Sequence, residues 1–372
     1  MYLAIREMRF AKARYALIAT IMLLVAFLVL FVTGLARGLA YDNAASIENM
    51  SATHFVMEKD SNHRFTRSEV GEQALEQART IAGENNAEPL GVRMTTVMAE
   101  GMSLKLDVTL LAVNPEGWLM PAAAEGSAIT AKGEGQVLVD SKLKESGVRI
   151  GTVIVDQGSG MKWTVSGFAS RESFSHSPAV FLSEHDWQQL QQLSATRDGM
   201  PVGMTYSAIA VKADKLQAER LAAAMPDAEI VKKSEAVSAI PGYKEEQGSL
   251  MMMIVFLFVI SAFVLAVFFY VITIQKSSQF GILKAIGTRT AYLAGSVTLQ
   301  VLLLCSGSLI ISVLLVQALE AVLPGGMPFL LHASTLAMTC GAFIAMSLAG
   351  ALLSVWKVSR INALDAIGRT AA

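Results

Sequence analysis

Four long apolar stretches constrain the fold of this chain more than any other feature. A helix needs about 20 residues to cross a hydrocarbon core about 30 Å thick, and each stretch is long enough to do so. Three of them contain no Asp, Glu, Lys, Arg or His, and the first contains only Arg37, near its end. We therefore predict four membrane-spanning helices. They run from Leu17 to Leu39, from Leu250 to Ile274, from Tyr292 to Leu319 and from Thr335 to Trp356.

The near absence of ionisable groups from these spans excludes two functional classes. Proton- or ion-coupled carriers and intramembrane proteases keep ionisable side chains at membrane depth despite their energetic cost. The four spans offer almost none of them. We therefore expect neither chemistry in this protein.

Charged residues are distributed unevenly along the chain. Residues 41–247 hold 19 basic and 28 acidic side chains, a net charge of −9. The rest of the chain holds 11 basic and 3 acidic side chains, a net charge of +8. The overall net charge of −1 therefore combines an acidic, polar segment with a basic, apolar part, as expected for a protein shared between a membrane and water.

Lys and Arg in short flanking segments predict the orientation of the spans, because such segments stay in the cytoplasm. Basic residues precede the first span, separate the second from the third and follow the fourth, whereas the connection from Glu320 to Ser334 has none. Both termini are thus predicted to be cytoplasmic and residues 41–247 to lie outside. A cleaved secretory signal is the alternative interpretation of the first span, but the apolar part of such a signal is usually about 7 to 15 residues. The basic residues are Arg6, Arg9, Lys12, Arg14, Lys276, Lys284, Arg289, Lys357, Arg360 and Arg369.

The segment between the first two spans has the pattern of a mixed α+β domain. Gly, Pro and charged residues separate short β-type runs. Helical patterns cover Arg67–Ala82, with Thr66 or Ser68 as a candidate cap, and Lys215–Met225, which Pro226 stops. The β-type runs cover residues 104–113, 136–139, 152–155, 162–168, 179–182 and 207–212.

These patterns predict a multi-pass α-helical membrane protein with a large extracellular α+β domain inserted between helices 1 and 2. The predicted segments are a cytoplasmic amphipathic segment (1–16), the first span with an outward extension (17–50), the extracellular domain (51–247), the second span (248–274), a cytoplasmic loop (275–290), the third span (291–320), a short extracellular loop (321–334), the fourth span (335–356) and a cytoplasmic tail (357–372).

Catalytic and metal-binding patterns are lacking in the sequence. Cys305 and Cys340 both lie in spans, so no disulfide stabilises the outer domain. The histidines lack metal-ligand spacing, and we interpret His176 and His185, with Glu184, as solvated loop residues rather than a metal site. No phosphate-binding loop or nucleophile motif occurs. We predict no enzyme activity, no intrinsic cofactor, no structural metal and no nucleic-acid partner.

The loop after the second span carries an apolar ridge. Phe280, Leu283 and residues 285–286 fall on one side of a short predicted helix. Such a ridge indicates either a docking surface for a cytoplasmic partner or a helix that lies on the inner leaflet. The pattern alone does not decide between these two interpretations.

The same loop resembles a known family. Residues 280–288, FGILKAIGT, resemble the segment that follows the second span in FtsX-like permeases of ABC transporters, of the macrolide-exporter and lipoprotein-release type. Residues 356–369, with the sequence NALDAI at 362–367, resemble the closing segment of that family, and the order of spans and outer domain also agrees. The chain departs from the family pattern at Gln279, often acidic in the family, and at Ala363, often proline.

The resemblance implies a homodimer of this chain in the cell membrane, joined to two cytosolic ATPase subunits. ATP with Mg²⁺ would be bound by those subunits, and their closure would move the outer domains and expel substrate. The chain itself has no Walker A loop. The residues that the resemblance assigns to ATPase coupling are Gln279, Phe280, Gly281, Leu283, Lys284 and Gly287.

A narrower resemblance concerns the beginning of the chain. Residues 1–12, MYLAIREMRFAK, and the stretch Gly34–Ala40 with Asp42 and Asn43 are similar to permeases of haem-regulated efflux transporters of Gram-positive bacteria. This similarity implies haem as the transported substrate and detoxification as the purpose. Export of an amphipathic antibiotic, peptide or lipid remains open. So does a non-transport role, in which the outer domain controls a cell-wall hydrolase.

A stripe along the first helix is the candidate substrate and dimer face. Its members are spaced alternately four and three residues apart, which places them on one side of a helix. The stripe begins aromatic, narrows at the glycines, which permit close helix approach, and ends polar. Two copies would enclose an aromatic slot in the outer leaflet. The stripe comprises Phe27, Phe31, Gly34, Gly38, Tyr41, Ala45 and Glu48.

A flat porphyrin would fit such a slot, and its iron needs axial ligands. Met and Tyr are known haem ligand types, so Tyr41, Glu48 and Met50 are candidate ligands. Met252, at the outer end of the second span, is a further candidate for substrate contact. The structural alternative is that methionine fills irregular gaps and that Tyr41 belongs to an interfacial aromatic belt.

Overall fold

The computed structural model describes residue 6 and residues 10–130, 133–198, 203–323 and 327–359. The predicted family segment at 362–367, with Arg360 and Arg369, lies outside these described residues, as does most of the N-terminal segment 1–9. The chain forms two compact units. The helical unit comprises residues 1–38, 249–324 and 329–372, and the outer domain comprises residues 39–248 and 325–328.

One long helix precedes the α+β elements, and three long helices follow them. In chain order the elements are α1 (Lys12–Asn49), β1 (His54–Glu58), β2 (Val70–Gly71), α2 (Glu72–Ala82), β3 (Ala87–Ala99), β4 (Lys105–Val113), β5 (Glu125–Gly126), β6 (Gln136–Asp140), β7 (Val153–Asp156), β8 (Lys162–Ala169), β9 (Ser173–Phe174), β10 (Ser177–Ser183), α3 (Glu184–Asp198), β11 (Thr205–Tyr206), β12 (Ala208–Val211), α4 (Lys215–Ala224), β13 (Ala228–Lys232), α5 (Lys233–Ser238), α6 (Tyr243–Gln275), α7 (Ser277–Ala285), α8 (Thr290–Glu320) and α9 (Ala333–Ser359).

Four of these helices are long and apolar enough to cross a membrane: α1, α6, α8 and α9. Each predicted span lies inside one of them, which confirms the four predicted spans. Helix α1 continues to Asn49, ten residues beyond the predicted end of the first span at Leu39. The helix therefore continues beyond the apolar run, as the stripe predicts.

The outer domain is built on one large sheet. Its strands follow the order β13-β1-β12-β3-β4-β10-β6-β8-β5. Strand β7 pairs with both β3 and β8, so β3, β4, β10, β6, β8 and β7 close into a ring of strands. All six predicted β-type runs are strands, and the predicted fold class, an α+β domain between helices 1 and 2, is confirmed.

The longest strand, β3, was missed in the sequence because Pro89 and Gly91 interrupt its β pattern. The structure explains both residues. Pro89 lies opposite Ile209 of β12, and a side chain at Gly91 would overlap the ring of Trp187, which packs there. Glycine in a strand often marks such a close approach.

The predicted helix Arg67–Ala82 begins later than expected, at Glu72, with Gly71 at its N-cap. Neither proposed cap is used, and the Ser68 hydroxyl instead accepts a hydrogen bond from the Glu58 amide at 2.9 Å. Burial of the preceding Phe65 and Val70 keeps that segment out of the helix. The second predicted helix is confirmed, and a reciprocal capping box between Asp214 and Gln217 starts it.

Candidate functional site

The aromatic part of the stripe packs against the chain's own residues. The rings of Phe27 and Phe31 stack with centroids 6.0 Å apart. Phe31 stacks in turn on Phe329, which precedes α9, with centroids 5.8 Å apart. The structure therefore brings the two predicted aromatic residues together and adds a third ring that the stripe did not include.

Gly34 faces the same ring. A Cβ atom at this position would overlap the ring of Phe329, and the Gly34 carbonyl accepts a hydrogen bond from the Leu330 amide at 3.0 Å. The absence of a side chain at position 34 is thus required within one copy of the chain. Contact of Gly34 and the buried Gly38 with a second copy stays a prediction.

The polar end of the stripe lies in the outer domain. Tyr41 donates a hydrogen bond to Asn49 at 2.5 Å. Glu48 is exposed, and its carboxylate accepts a hydrogen bond from the Tyr243 hydroxyl at 3.4 Å. The ammonium of Lys233 donates to the carbonyls of Glu48 and Met50 and so holds the end of α1.

The structure argues against Met50 as a haem ligand. Its side chain is only 5% exposed and packs in the core of the outer domain, because the chain turns into the domain directly after α1. Met252, by contrast, is 60% exposed on α6. Of the three candidate iron ligands, Glu48 is exposed, whereas Tyr41 is half-buried and donates its hydroxyl to Asn49.

Hydrogen bonds and ion pairs that no sequence pattern indicated surround the last turns of α1. The Asp42 carboxylate forms an ion pair with Lys142 and accepts a hydrogen bond from Ser173 at 3.0 Å. His176 lies between two carboxylates: its Nδ1 is 3.6 Å from Asp42 and its Nε2 is 3.0 Å from Glu246. We call these side chains, with Asn43, the polar junction. Its members are Asp42, Asn43, Lys142, Ser173, His176 and Glu246.

The polar junction joins four separate segments of the outer domain. Asn43 of α1 donates to Glu246, in the first turn of α6, at 2.7 Å, and the Asn43 carbonyl accepts from the Ser175 amide at 2.7 Å. Arg171, Ser175 and His176 in the adjoining turns all have positive φ, which costs about 1–3 kcal/mol each. His176, which we interpreted as a solvated loop residue, therefore links α1 to α6. The sequence does not indicate this role, because His176 and Asn43 are 133 residues apart.

Glu172 lies buried behind the polar junction. It is 5% exposed and accepts a hydrogen bond from the Asn49 amide group at 3.0 Å. Burial, reinforced by the nearby Asp140 carboxylate, raises the pKa of Glu172 to about 7. The backbone amide of Glu172 donates to Asp140 at 2.5 Å, so the two acids occupy one small volume.

We expect Glu172→Gln to stabilise the protein above pH 7 by about 2 kcal/mol. The pKa of Glu172 is higher in the folded state than in the unfolded state. Its contribution to the free energy of unfolding is therefore fully present below about pH 4.5 and is lost as the pH rises to about 7, where the buried carboxyl ionises. Thermal unfolding of the full chain, followed by Trp118, Trp163 and Trp187 fluorescence, measures this. The exposed Glu84→Gln should keep the wild-type pH dependence. If the stability of Glu172→Gln depends on pH as steeply as that of the wild type, the raised pKa of Glu172 is not the cause of that dependence.

The residues predicted to couple to the ATPase lie on α7 or directly after it. Phe280 is buried against Leu293 of α8, so it is not part of an exposed ridge. Ile286, which belongs to the predicted ridge, is 75% exposed, and Ile282, which does not, is 49% exposed. Gly287 ends the segment with φ of +93°. Gln279 is exposed, Gly281 is buried, and Leu283 and Lys284 are half-buried.

A buried ammonium lies where α6 ends and α7 begins. Lys276, which we expected only to flank a span, donates to the hydroxyl of Tyr15 at 2.6 Å and to the side-chain carbonyl of Gln300 at 3.2 Å. Tyr15 also donates to Gln300 at 2.8 Å. These contacts attach the start of α7 to α1 and α8.

Comparison with known families identifies the helical part of the chain. Residues 251–363, which cover α6 to α9, match the family described as FtsX-like permease C-terminal. This part of the chain is similar to the C-terminal domain of FtsX-like permeases. Permeases of this type belong to ABC transporters and work with a cytosolic ATPase partner. Such subunits are generally not catalytic themselves.

Several relatives are similar to the chain almost from end to end. A Staphylococcus haemolyticus protein named as a hemin transport system permease, HrtB, is 29% identical over 368 residues, 99% of each chain. A protein of the same name from Staphylococcus epidermidis is 28% identical over the same share. An uncharacterized ABC transporter permease of Mycobacterium tuberculosis is 23% identical over 98% of this chain and 97% of that protein.

Among solved structures, the chain is similar to the extracellular domain of the ABC-type transporter YknZ from Gram-positive bacteria. That match has a TM-score of 0.34 and 14% identity, and it covers 48% of this chain and 100% of that chain. The periplasmic region of MacB from Actinobacillus actinomycetemcomitans matches with a TM-score of 0.35 and 12% identity, over 50% and 90% of the chains.

Proposed function

We propose that the permease is the membrane subunit of an ATP-driven efflux transporter that removes haem from the outer leaflet of a Gram-positive cell membrane. The observation that carries the proposal is the 28–29% identity over 99% of both chains to proteins named for hemin transport. Two copies of the permease would act with two ATPase subunits, which bind ATP and Mg²⁺. Both termini would be cytoplasmic and the α+β domain extracellular.

The geometry of α1 supports haem as the substrate class. At its outer end the carboxylate of Glu48 is exposed and accepts a hydrogen bond from the Tyr243 hydroxyl. A carboxylate is a weak iron ligand, which suits a transporter that must release its cargo. Glu48 would contact the haem iron, and the Tyr243 hydroxyl would donate to a haem propionate.

The polar junction supports mechanical export rather than passive binding. Helices α1 and α6 are continuous from the apolar segments into the outer domain. Their outer ends are tied through Asn43, His176 and Glu246. A tilt of either helix, driven by the ATPase, would therefore move both helix ends and the β9–β10 turn together.

We expect Glu48→Gln to weaken haem binding by about tenfold, because an anionic ligand and its charge are lost while the side-chain size is kept. Haem absorption titrations of the purified permease–ATPase complex measure the affinity, and growth on haem measures tolerance. Met50→Ala should not be combined with Glu48→Gln, because truncating a buried Met costs about 2–5 kcal/mol of stability.

The exposed Glu116→Gln serves as the matched control and should bind haem like the wild type. Unchanged haem spectra and unchanged tolerance in Glu48→Gln would contradict the site. Haem-independent ATPase activity that an amphipathic antibiotic, peptide or lipid stimulates would favour that substrate class. Co-purification of a cell-wall hydrolase, without any substrate-stimulated ATPase activity, would favour a signalling role.

A further inference from the structure

A charged cleft of roughly 710 Å³ opens on the outer domain beside the beginning of α6. One wall is the turn after β1, with His63, Arg64 and Arg67. The other wall is the start of α6, with Lys244 and Glu245. No residue of the stripe, the polar junction or α7 lines it.

The cleft is basic within an acidic domain. His63 is 3.0 Å from Glu229, whereas Arg64, Arg67 and Lys244 form no ion pair with any of the described residues. Residues 41–247 carry a net charge of −9, so a local excess of cations needs a specific explanation. Two carboxylates, Glu235 and Glu245, also line the cleft, so its excess of positive charge is small. A small excess favours a ligand with one phosphodiester group over a dense polyanion.

The backbone of the first wall is strained. Asn62 and His63 are consecutive residues with φ of +53° and +60°. Positive φ values are uncommon in non-glycine residues and recur at ligand sites. This turn directly precedes Arg64, which lines the cleft with Arg67.

The second wall is close in sequence to the predicted second span. Helix α6 is continuous from Tyr243, and Lys244 precedes Leu250, the first residue of the predicted span, by six residues. At about 1.5 Å per residue this is about 9 Å, and the headgroup layer of one leaflet is about 5–8 Å thick. With the span beginning at Leu250, Lys244 would lie at the outer edge of that layer.

We propose that this cleft binds the phosphate of a phospholipid headgroup from the leaflet that the outer domain faces. Arg64 and Arg67 bind the phosphate oxygens, since guanidinium groups match that geometry, and Lys244 adds a third cation. The site would anchor the start of α6 to the bilayer surface. It goes beyond the proposed function and does not require haem as the substrate.

The test uses the full permease–ATPase complex, stripped of lipid in detergent, with phosphatidylglycerol added and binding measured by native mass spectrometry. Arg64→Ala with Arg67→Ala should weaken binding of the lipid by about 25-fold, from the usual contribution of two basic residues at a membrane surface. Arg149→Ala with Arg220→Ala, two exposed arginines outside the cleft with the same change in charge, should bind like the wild type.

A second arm adds soluble glycerophosphate to the same wild-type complex. Weak binding of glycerophosphate relative to the lipid supports a membrane headgroup as the ligand. Equal binding of the two would overturn the lipid assignment in favour of a free phosphate compound. Equal losses in the cleft variant and in the Arg149/Arg220 control would overturn the site, because they would show non-specific attraction. Haem spectra serve as an independent readout and should not change in the cleft variant.

Discussion

Replacing Ile282 and Ile286 with Asp is expected to weaken the complex with the ATPase by roughly a thousandfold. These are the exposed apolar side chains of the segment around α7, and burial of each against a partner contributes about 1.5–3 kcal/mol. The double change removes that burial and adds two charges to desolvate, for about 4 kcal/mol in all. Co-purification of the tagged permease with the ATPase, and ATP-dependent export by the complex, measure the effect.

Ile282→Leu with Ile286→Leu is the matched control and should keep both assembly and export, because the apolar volume is conserved. Phe280→Ala provides a second comparison, since Phe280 packs against Leu293 within the chain. It should destabilise α7 without removing the exposed face. Full assembly and export by the double Asp variant would contradict the docking role and favour a helix that lies on the inner leaflet.

Gly34→Leu is expected to destabilise the helical unit by about 3 kcal/mol, since any side chain at this position overlaps the ring of Phe329. Phe329→Ala should also be destabilising by itself, because it removes a buried ring that stacks on Phe31. The double variant should recover much of the loss, since the new leucine fills the space left by the ring. Thermal unfolding of the purified permease and the yield of assembled complex measure all three.

This double-mutant cycle also separates two explanations of the same glycine. Rescue by Phe329→Ala means that Gly34 is needed for packing within one copy. Failure of the rescue, together with loss of the dimer in Gly34→Leu, would show that position 34 faces a second copy, as the small-residue pattern with Gly38 predicts.

Sequence patterns predicted the local elements well where one period dominates. The four spans lie inside α1, α6, α8 and α9, because long apolar segments can satisfy their backbone groups only as helices in a membrane. The predictions failed where tertiary packing decides the conformation. Strand β3 contains Pro89 and Gly91, which disfavour a strand locally, but its neighbours and the ring of Trp187 require that backbone path.

The candidate site was predictable in part for the same reason. Helical spacing identified the stripe, which indeed runs along α1, with Phe27 stacked on Phe31. The same spacing could not show that Met50 turns into the domain core or that Phe329 covers Gly34. Both outcomes depend on residues far away in the chain.

The amino-acid sequence by itself determined that this protein has four apolar helices with a polar α+β domain between the first two, and it contained the motif of an FtsX-like permease. Hydropathy and local periodicity act over neighbouring residues, so they can be read from the chain directly. Only the tertiary structure decided which side chains remain available for function. It placed Ile282 and Ile286 rather than Phe280 at the surface around α7, and it joined Asp42 and Glu246 through His176. Such contacts between distant residues depend on how the elements pack, and no local pattern contains that information.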